Sequence, residues 1–168
     1  MPASEVHNID CLELMRTLPD KSFQLAIADP PYRDENAPFQ QMRQASASRD
    51  VFKAGKPSQE FFDELNRISE NQIIWGANHF IENLPRQNAS CWVVWDKDNG
   101  ENDFADCELA WTSLPCAVRR FRYKWHGMLQ ENMANKEIRI HPTQKPVALY
   151  AWLLKNYAKP GDRIFDPM

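Results

Sequence analysis

The sequence predicts an α/β protein whose central sheet carries helices on both faces. Short apolar runs typical of buried strands alternate along the chain with segments of helical periodicity. Three strand candidates have an acidic residue at their carboxyl end, Asp10, Asp29 and Asp166. Because ligands of such sheets bind at the carboxyl ends of the strands, these three acids are the first candidate site residues.

The first elements lie between residues 5 and 32. Residues 5–10 are a short strand candidate, and residues 11–18 have the spacing of an amphipathic helix. The compact apolar run at 23–28 predicts a buried parallel strand. It runs into Asp29-Pro30-Pro31-Tyr32, where two prolines, which have no N–H, end the strand.

The middle of the chain begins with residues 33–57, a polar segment that is long for a loop and therefore predicted to be functional or disordered. Ser58 is a candidate N-cap for a helix that ends at Ile68. Four further apolar runs are strand candidates, the last two as an antiparallel pair: 72–75, 91–95, 107–112 and 117–125.

The last elements are a helix, a turn and a strand. Pro146 suits the first turn of a helix that continues to Tyr157. Lys159-Pro160-Gly161-Asp162 predicts a turn, and residues 163–165 begin one more strand.

Composition bounds the class of protein. The chain has 168 residues, enough for one domain, and a net charge of -3, which does not favour nucleic acid as a partner. It has no apolar run long enough for a membrane span and no N-terminal signal pattern. The four cysteines lack C-x-x-C spacing, which argues against a zinc site and predicts reduced thiols in a cytoplasmic protein.

The Asp29-Pro30-Pro31-Tyr32 segment can do a specific kind of chemistry. An exocyclic amino group on a base is a poor nucleophile, and acceptors aimed at its hydrogens favour the geometry in which it attacks. Asp29 offers a carboxylate, the prolines offer carbonyls without competing donors, and Tyr32 offers a ring for stacking. The alternative is an ordinary Pro-Pro turn, which the preceding apolar strand makes the weaker reading.

Three motifs resemble S-adenosylmethionine-dependent DNA amino-methyltransferases. Asp29-Pro30-Pro31-Tyr32 matches their catalytic motif in the form typical of adenine-N6 enzymes. His141-Pro142-Thr143-Gln144-Lys145-Pro146 matches the segment before the cofactor motif, and Asn8-Ile9-Asp10-Cys11-Leu12-Glu13 is similar to their opening, with Ile9 in place of the usual glycine. The catalytic motif precedes the cofactor motif. The resemblance therefore implies a Rossmann-like methyltransferase sheet with the permuted, β-type motif order over residues 1–168.

The resemblance also implies which residues meet S-adenosylmethionine. The catalytic set is Asp29, Pro30, Pro31 and Tyr32. The implied cofactor set is Asp10, Cys11, Asp29, Thr143, Lys145, Phe165, Asp166 and Pro167. The family's D-P-F-x-G-S-G loop begins at Asp166-Pro167, with Met168 in place of phenylalanine, and its glycines are absent. We therefore expect a C-terminally incomplete domain that self-associates or forms a homodimer through exposed apolar surface.

Two segments are candidates for contact with double-stranded DNA. The run Arg119-Arg120-Phe121-Arg122-Tyr123-Lys124 supplies four cations to meet phosphates, or it is a solvated strand face with its aromatic residues inward. Residues 33–57 are predicted to be a mobile loop or a DNA-contacting insertion.

The leading hypothesis is a site-specific DNA adenine-N6 methyltransferase of the restriction–modification or phage type. One alternative is a catalytically inactive, truncated DNA-binding remnant. Others keep the enzyme and change the substrate to cytosine N4, RNA or protein glutamine.

Overall fold

A computed structural model describes residues 4–31, 55–100, 105–126, 129–140 and 143–168. The strands within these residues are β1 Phe23–Ala28, β2 Ser69–Trp75, β3 Trp92–Asp96, β4 Cys107–Thr112, β5 Arg119–Arg122, β6 Trp125–His126, β7 Leu129–Gln130 and β8 Ile164–Phe165. The α-helices are α1 Cys11–Thr17, α2 Gln59–Ile68 and α3 Val147–Tyr157. These bounds agree closely with the predicted helices and with most of the predicted strands.

Six of the described strands form one mixed sheet in the order β5-β3-β4-β2-β1-β8, and β6 pairs with β7 in a separate two-stranded antiparallel sheet. β1 is parallel to both β2 and β8, whereas β4 is antiparallel to both β2 and β3. The predicted antiparallel pairing of 107–112 with 117–125 is wrong, because β4 already has a partner on each edge. β5 pairs instead with the outer edge of β3, in parallel.

Residues 5–10 do not form the predicted strand. Val6 is 95% exposed, so this segment buries no apolar face that would hold it against the sheet. Asp10 is the N-cap of α1, and its Oδ1 accepts hydrogen bonds from the backbone N–H groups of Leu12 at 2.9 Å and Glu13 at 3.1 Å. Asp10 therefore begins a helix and does not end a strand.

Helices cover both faces of the sheet, as predicted. α1 and α2 cover one face through Met15, Phe61, Phe62, Leu65 and Ile68, which pack on Ala26, Ala28, Ile74 and Trp111. α3 covers the other face through Leu149 and Leu153, which pack on Leu25, Ile27, Ile73, Trp75, Val93 and Trp95. Within the described residues, no helix has both the length and the apolar character needed to cross a membrane.

Two cysteines form a disulfide, Cys91 with Cys116, with their Cα atoms 4.9 Å apart. The prediction of four reduced thiols is wrong for this pair. The connection after β4 folds back toward the start of β3, where Ser90 Oγ donates to the carbonyl of Cys116 at 3.1 Å. Cys11 and Cys107 are free thiols.

Candidate active site at the carboxyl end of the central strands

Asp29 follows β1 directly, at the carboxyl end of a strand with a parallel neighbour on each side. Side chains alternate between the faces of a strand, so Asp29 is in phase with Leu25 and Ile27, which face α3. Pro30, the next residue, is buried, and Pro31 is partly buried. Asp29 therefore stands at the edge of the α3 face. The predicted stacking residue, Tyr32, lies outside the described residues.

Lys145 reaches Asp29 from the other end of the chain. It lies just before α3, and its ammonium group is 2.5 Å from Asp29 Oδ2. The Lys145 side chain is only 5% exposed and that of Asp29 is 21% exposed. Trp125 anchors the segment by donating its indole N–H to the carbonyl of Gln144 at 2.9 Å. The structure thus brings two predicted motifs together, although His141 and Pro142 lie outside the described residues.

A second carboxylate shares Lys145. Glu108 Oε2 lies 3.2 Å from Lys145 Nζ, and Glu108 Oε1 lies 2.5 Å from Lys97 Nζ. The Glu108 side chain is 21% exposed and that of Lys97 is 18% exposed. Asp29, Lys145, Glu108 and Lys97 form a chain of alternating charge, named here the charged quartet.

The sheet explains why these four residues meet. β4 runs antiparallel to its neighbours, so its first residues lie at the edge where β1, β2 and β3 end. Glu108 is paired across the ladder with Trp95, and Lys97 follows the last residue of β3. Both continue the phase of residues that face α3, as Asp29 does.

Two tryptophans lie under the charged quartet. Lys145 Nζ is 5.5 Å from the ring centroid of Trp75, and Lys97 Nζ is 5.2 Å from that of Trp95. The two rings meet edge to face at 6.4 Å, and both are fully buried. Because a tryptophan face attracts cations, this arrangement helps to keep both ammonium groups at a poorly solvated edge.

The two carboxylates of the quartet have different pKa values for a physical reason. Burial raises the pKa of Asp29, and the charge and hydrogen bond of Lys145 only partly oppose this. Burial acts the same way on Glu108, but the ammonium groups of Lys145 and Lys97 together hold its pKa below the usual range. Asp29 is therefore the carboxylate that protonates more easily.

Asp166 follows β8, the strand beside β1, as predicted. Its Oδ1 accepts a hydrogen bond from the backbone N–H of Met168 at 3.0 Å. Desolvation raises the pKa of Asp166 against the effect of that hydrogen bond, and the charge of Asp29 adds to the rise. Two acids therefore lie near each other at this edge of the sheet.

The remaining residues that the resemblance assigns to the cofactor differ in their exposure to solvent. Phe165 is buried on the face of α1 and α2, with its ring 5.0 Å from that of Phe23, so its side chain belongs to the core. Cys11 is the first residue of α1, and burial raises the pKa of its thiol. Thr143 lies exposed in a turn two residues before Lys145, and Pro167 is partly buried beside Asp166.

The basic run at 119–124 is largely paired with acids. Arg120 lies 3.7 Å from Asp96, while Arg122 and Lys124 lie 2.8 and 3.1 Å from Asp98. The aromatic residues of the run point inward, where Phe121 and Tyr123 stack at 5.7 Å and pack against the core beneath α3. The side chains thus alternate as in the predicted solvated strand face. Arg119 is exposed at one end of this strand.

Sequence reasoning did not single out Glu108 or Lys97 as site residues. A signal was present, because each stands in phase with apolar residues of its strand, where a charge is unexpected. What the sequence lacked was the antiparallel direction of β4, which decides that Glu108 lies at the same edge as Asp29.

Comparison with known proteins supports the fold. No protein-family model matches the chain. The chain is 24% identical over 205 aligned residues to the type II methyltransferase M.HinfI of Haemophilus influenzae; the match covers 94% of the chain but spans only 56% of that relative. The structure is similar to that of the M1.HpyAVI–SAM complex, with a TM-score of 0.53, 19% identity and coverage of 95% of this chain and 79% of the other. The chain therefore has a mixed α/β fold, with a central sheet, that matches a methyltransferase structure.

Proposed function

We propose that this chain carries the target-base site of a DNA methyltransferase, and more finely that it methylates the N6 amino group of adenine with S-adenosylmethionine. The observation that carries the proposal is the Asp29–Lys145 contact, which joins the two most specific sequence motifs at the carboxyl end of a central strand. The relatives' names support methyl transfer, since M.HinfI is a type II methyltransferase and the similar structure is a SAM complex.

Asp29 is assigned the role of acceptor for the exocyclic amino group of a base that has left the duplex stack. Lys145 holds Oδ2 of the carboxylate, which leaves Oδ1 to accept a hydrogen bond from the amino group. That bond draws the amino nitrogen out of conjugation and frees its lone pair, which would form the new bond to the methyl carbon as the sulfur–carbon bond of the donor breaks and leaves a neutral thioether. The methylated nitrogen, now positively charged, is stabilised by the carboxylate and then loses one proton to solvent.

The residues at this edge fit S-adenosylmethionine, which supplies a methyl group as an electrophile when it is bound. The ligand carries a sulfonium and an ammonium group, both cationic. Asp29 and Asp166 end neighbouring strands, and the negative charge of Asp29 contributes to the raised pKa of Asp166. A cationic ligand beside them offsets that charge, so Asp166 is assigned to the donor side of the site.

We assign DNA contact first to Arg119. Weaker candidates for the same role are Arg120, Arg122 and Lys124. The latter three already have carboxylate partners, so a phosphate would have to compete with Asp96 or Asp98 for them. We expect these pairs to weaken the basic run as a phosphate site, because the acids cancel much of its field.

The proposal is tested by expressing the protein from its own gene in a bacterial host that has no adenine or cytosine methylation. Genomic DNA is digested to nucleosides and analysed by mass spectrometry. We expect N6-methyldeoxyadenosine, and we expect Asp29→Ala to abolish it. N4-methyldeoxycytidine would transfer the proposal to cytosine, and unmodified DNA would overturn it.

Asp63→Asn is the matched control for Asp29→Ala. Asp63 is an exposed carboxylate on α2, where it accepts a hydrogen bond from Gln59 at 3.0 Å, on the opposite face of the sheet. This variant should methylate DNA as the unaltered protein does. Circular dichroism of both purified variants separates a lost acceptor from a lost fold.

A further inference from the structure

The charged quartet contains two residues, Glu108 and Lys97, that the proposed function does not yet use. Both lie outside the sequence motifs that identify the site, and neither is needed to end a strand. Placing a charged pair at a poorly exposed edge costs desolvation free energy, whereas an apolar pair at the same place would carry no such cost. The pair therefore calls for an explanation in terms of what it contacts.

Lys145 is the only residue of the quartet that touches both acids. Its Nζ lies 2.5 Å from Asp29 and 3.2 Å from Glu108, so the two carboxylates compete for one ammonium group. Lys97 lies 2.5 Å from the far oxygen of Glu108 and takes up part of its charge. The attraction between the Lys145 ammonium group and the Asp29 carboxylate thus depends on how much of the negative charge of Glu108 is neutralised by Lys97.

We propose that Glu108 and Lys97 are a positioning pair that holds the Lys145 ammonium group against the Asp29 carboxylate at the proposed target-base site. This inference rests on the proposed function, since it assigns Asp29 as the acceptor. Neither residue is assigned a contact with substrate. Their role is to balance the charge beside Lys145 and to fix its side chain over Trp75.

The groups that face Asp29 set the direction of each expected effect. They are Lys145, Glu108, Lys97, Asp166 and Tyr150; Asp29 itself is among the groups that raise the pKa of the Tyr150 hydroxyl after burial. Glu108 raises the pKa of Asp29 by its negative charge, and Lys97 lowers it by its positive charge. Removing one or the other must therefore move the pKa of Asp29 in opposite directions.

Glu108→Gln and Lys97→Met test the pair by their opposite signs. Glu108→Gln removes the negative charge that competes with Asp29 for Lys145, so the pKa of Asp29 should fall and the acidic limb of the kcat pH profile should move to lower pH. In Lys97→Met, Glu108 draws more strongly on Lys145, so the pKa should rise and the limb should move to higher pH. In the double variant the two shifts should largely cancel.

The same quantity is measured without methyl transfer by titrating the ¹³C-labelled carboxyl carbon of Asp29 in the protein by NMR. Controls are Glu70→Gln and Lys155→Met, which remove exposed charges at the start of β2 and on α3 and should shift neither readout. Shifts of one sign in both single variants, or no shift in either, would overturn the positioning role. If the protein methylates no DNA but the Asp29 titration moves in opposite directions, the pair stands and the proposed function fails.

Discussion

Replacement of Lys145 by methionine is the sharpest test of how the site is held together. The substitution removes the ammonium group from between Asp29 and Glu108 and keeps an apolar side chain of similar length over Trp75. Removing one partner of a buried ion pair costs about 3–5 kcal/mol, and since both carboxylates keep 21% exposure we expect the lower end, about 3 kcal/mol at neutral pH. In a domain of this size such a loss lowers the Tm by about 6–12 °C.

The loss should depend on pH with a definite sign. The pKa of Glu108 is lowered in the folded protein, so the stability that its ionised form contributes is present above the unfolded pKa and is lost as the pH falls through the folded pKa. Without Lys145 the pKa of both carboxyl groups rises, and protonation then relieves their repulsion. The difference in unfolding free energy between the variant and the unaltered protein should therefore shrink on acidification.

Urea unfolding followed by tryptophan fluorescence, at neutral pH and again near pH 5, measures this difference. Lys155→Met, which removes an exposed lysine of α3, is the matched control and should change stability little at either pH. A Lys145→Met variant as stable as the unaltered protein at neutral pH would refute the reasoning. So would a deficit that stays constant or grows on acidification.

Three further predictions concern stability. Asp10→Ala removes the N-cap of α1 and should cost about 1 kcal/mol in chemical unfolding; an unchanged stability would contradict the capping role. Leu65→Ala empties a fully buried position of α2 and should cost about 2–5 kcal/mol, whereas a smaller loss would mean that the core closes around the gap. Arg67→Ala removes donors to the carbonyls of Met15 at 2.8 Å and Leu18 at 2.9 Å, which tie α2 to the end of α1. We expect a loss of about 1–3 kcal/mol in calorimetry, only partly restored by Arg67→Lys, because lysine has no guanidinium fork.

The sequence predicted the elements best where an apolar pattern and a stop signal occur together. β1 begins and ends where the run Phe23–Ala28 does, because the following prolines cannot continue the ladder. α2 begins after Ser58 and ends at Ile68, with the predicted apolar face buried, although the Ser58 side chain makes no capping hydrogen bond. The strand predicted at residues 5–10 is absent from the structure. A short apolar pattern does not show whether a partner strand is present.

For the candidate site too, the sequence indicated some residues and left the surroundings of others undetermined. The motifs around Asp29 and Lys145 were recognisable from residue order, and their mutual contact is consistent with that recognition. Phe165 was assigned to the cofactor by position in a motif, yet its side chain packs in the core, because the alternation of β8 points it toward α1 and α2. The sequence left two readings of the basic run at 119–124 open, a phosphate site or a solvated strand face. In the structure Asp96 and Asp98 pair with three of its four cations.

The sequence by itself determined the class of fold and the strand end at which Asp29 lies, since both follow from local patterns of burial and from prolines. Only the tertiary structure decided that Glu108 and Lys97 complete the surroundings of Asp29. Strand direction and order depend on which edges remain free once the other strands have paired, and β4 brings Glu108 to this edge because it runs antiparallel between β2 and β3. Charge pairs such as these form between residues distant in sequence, so no local pattern specifies them.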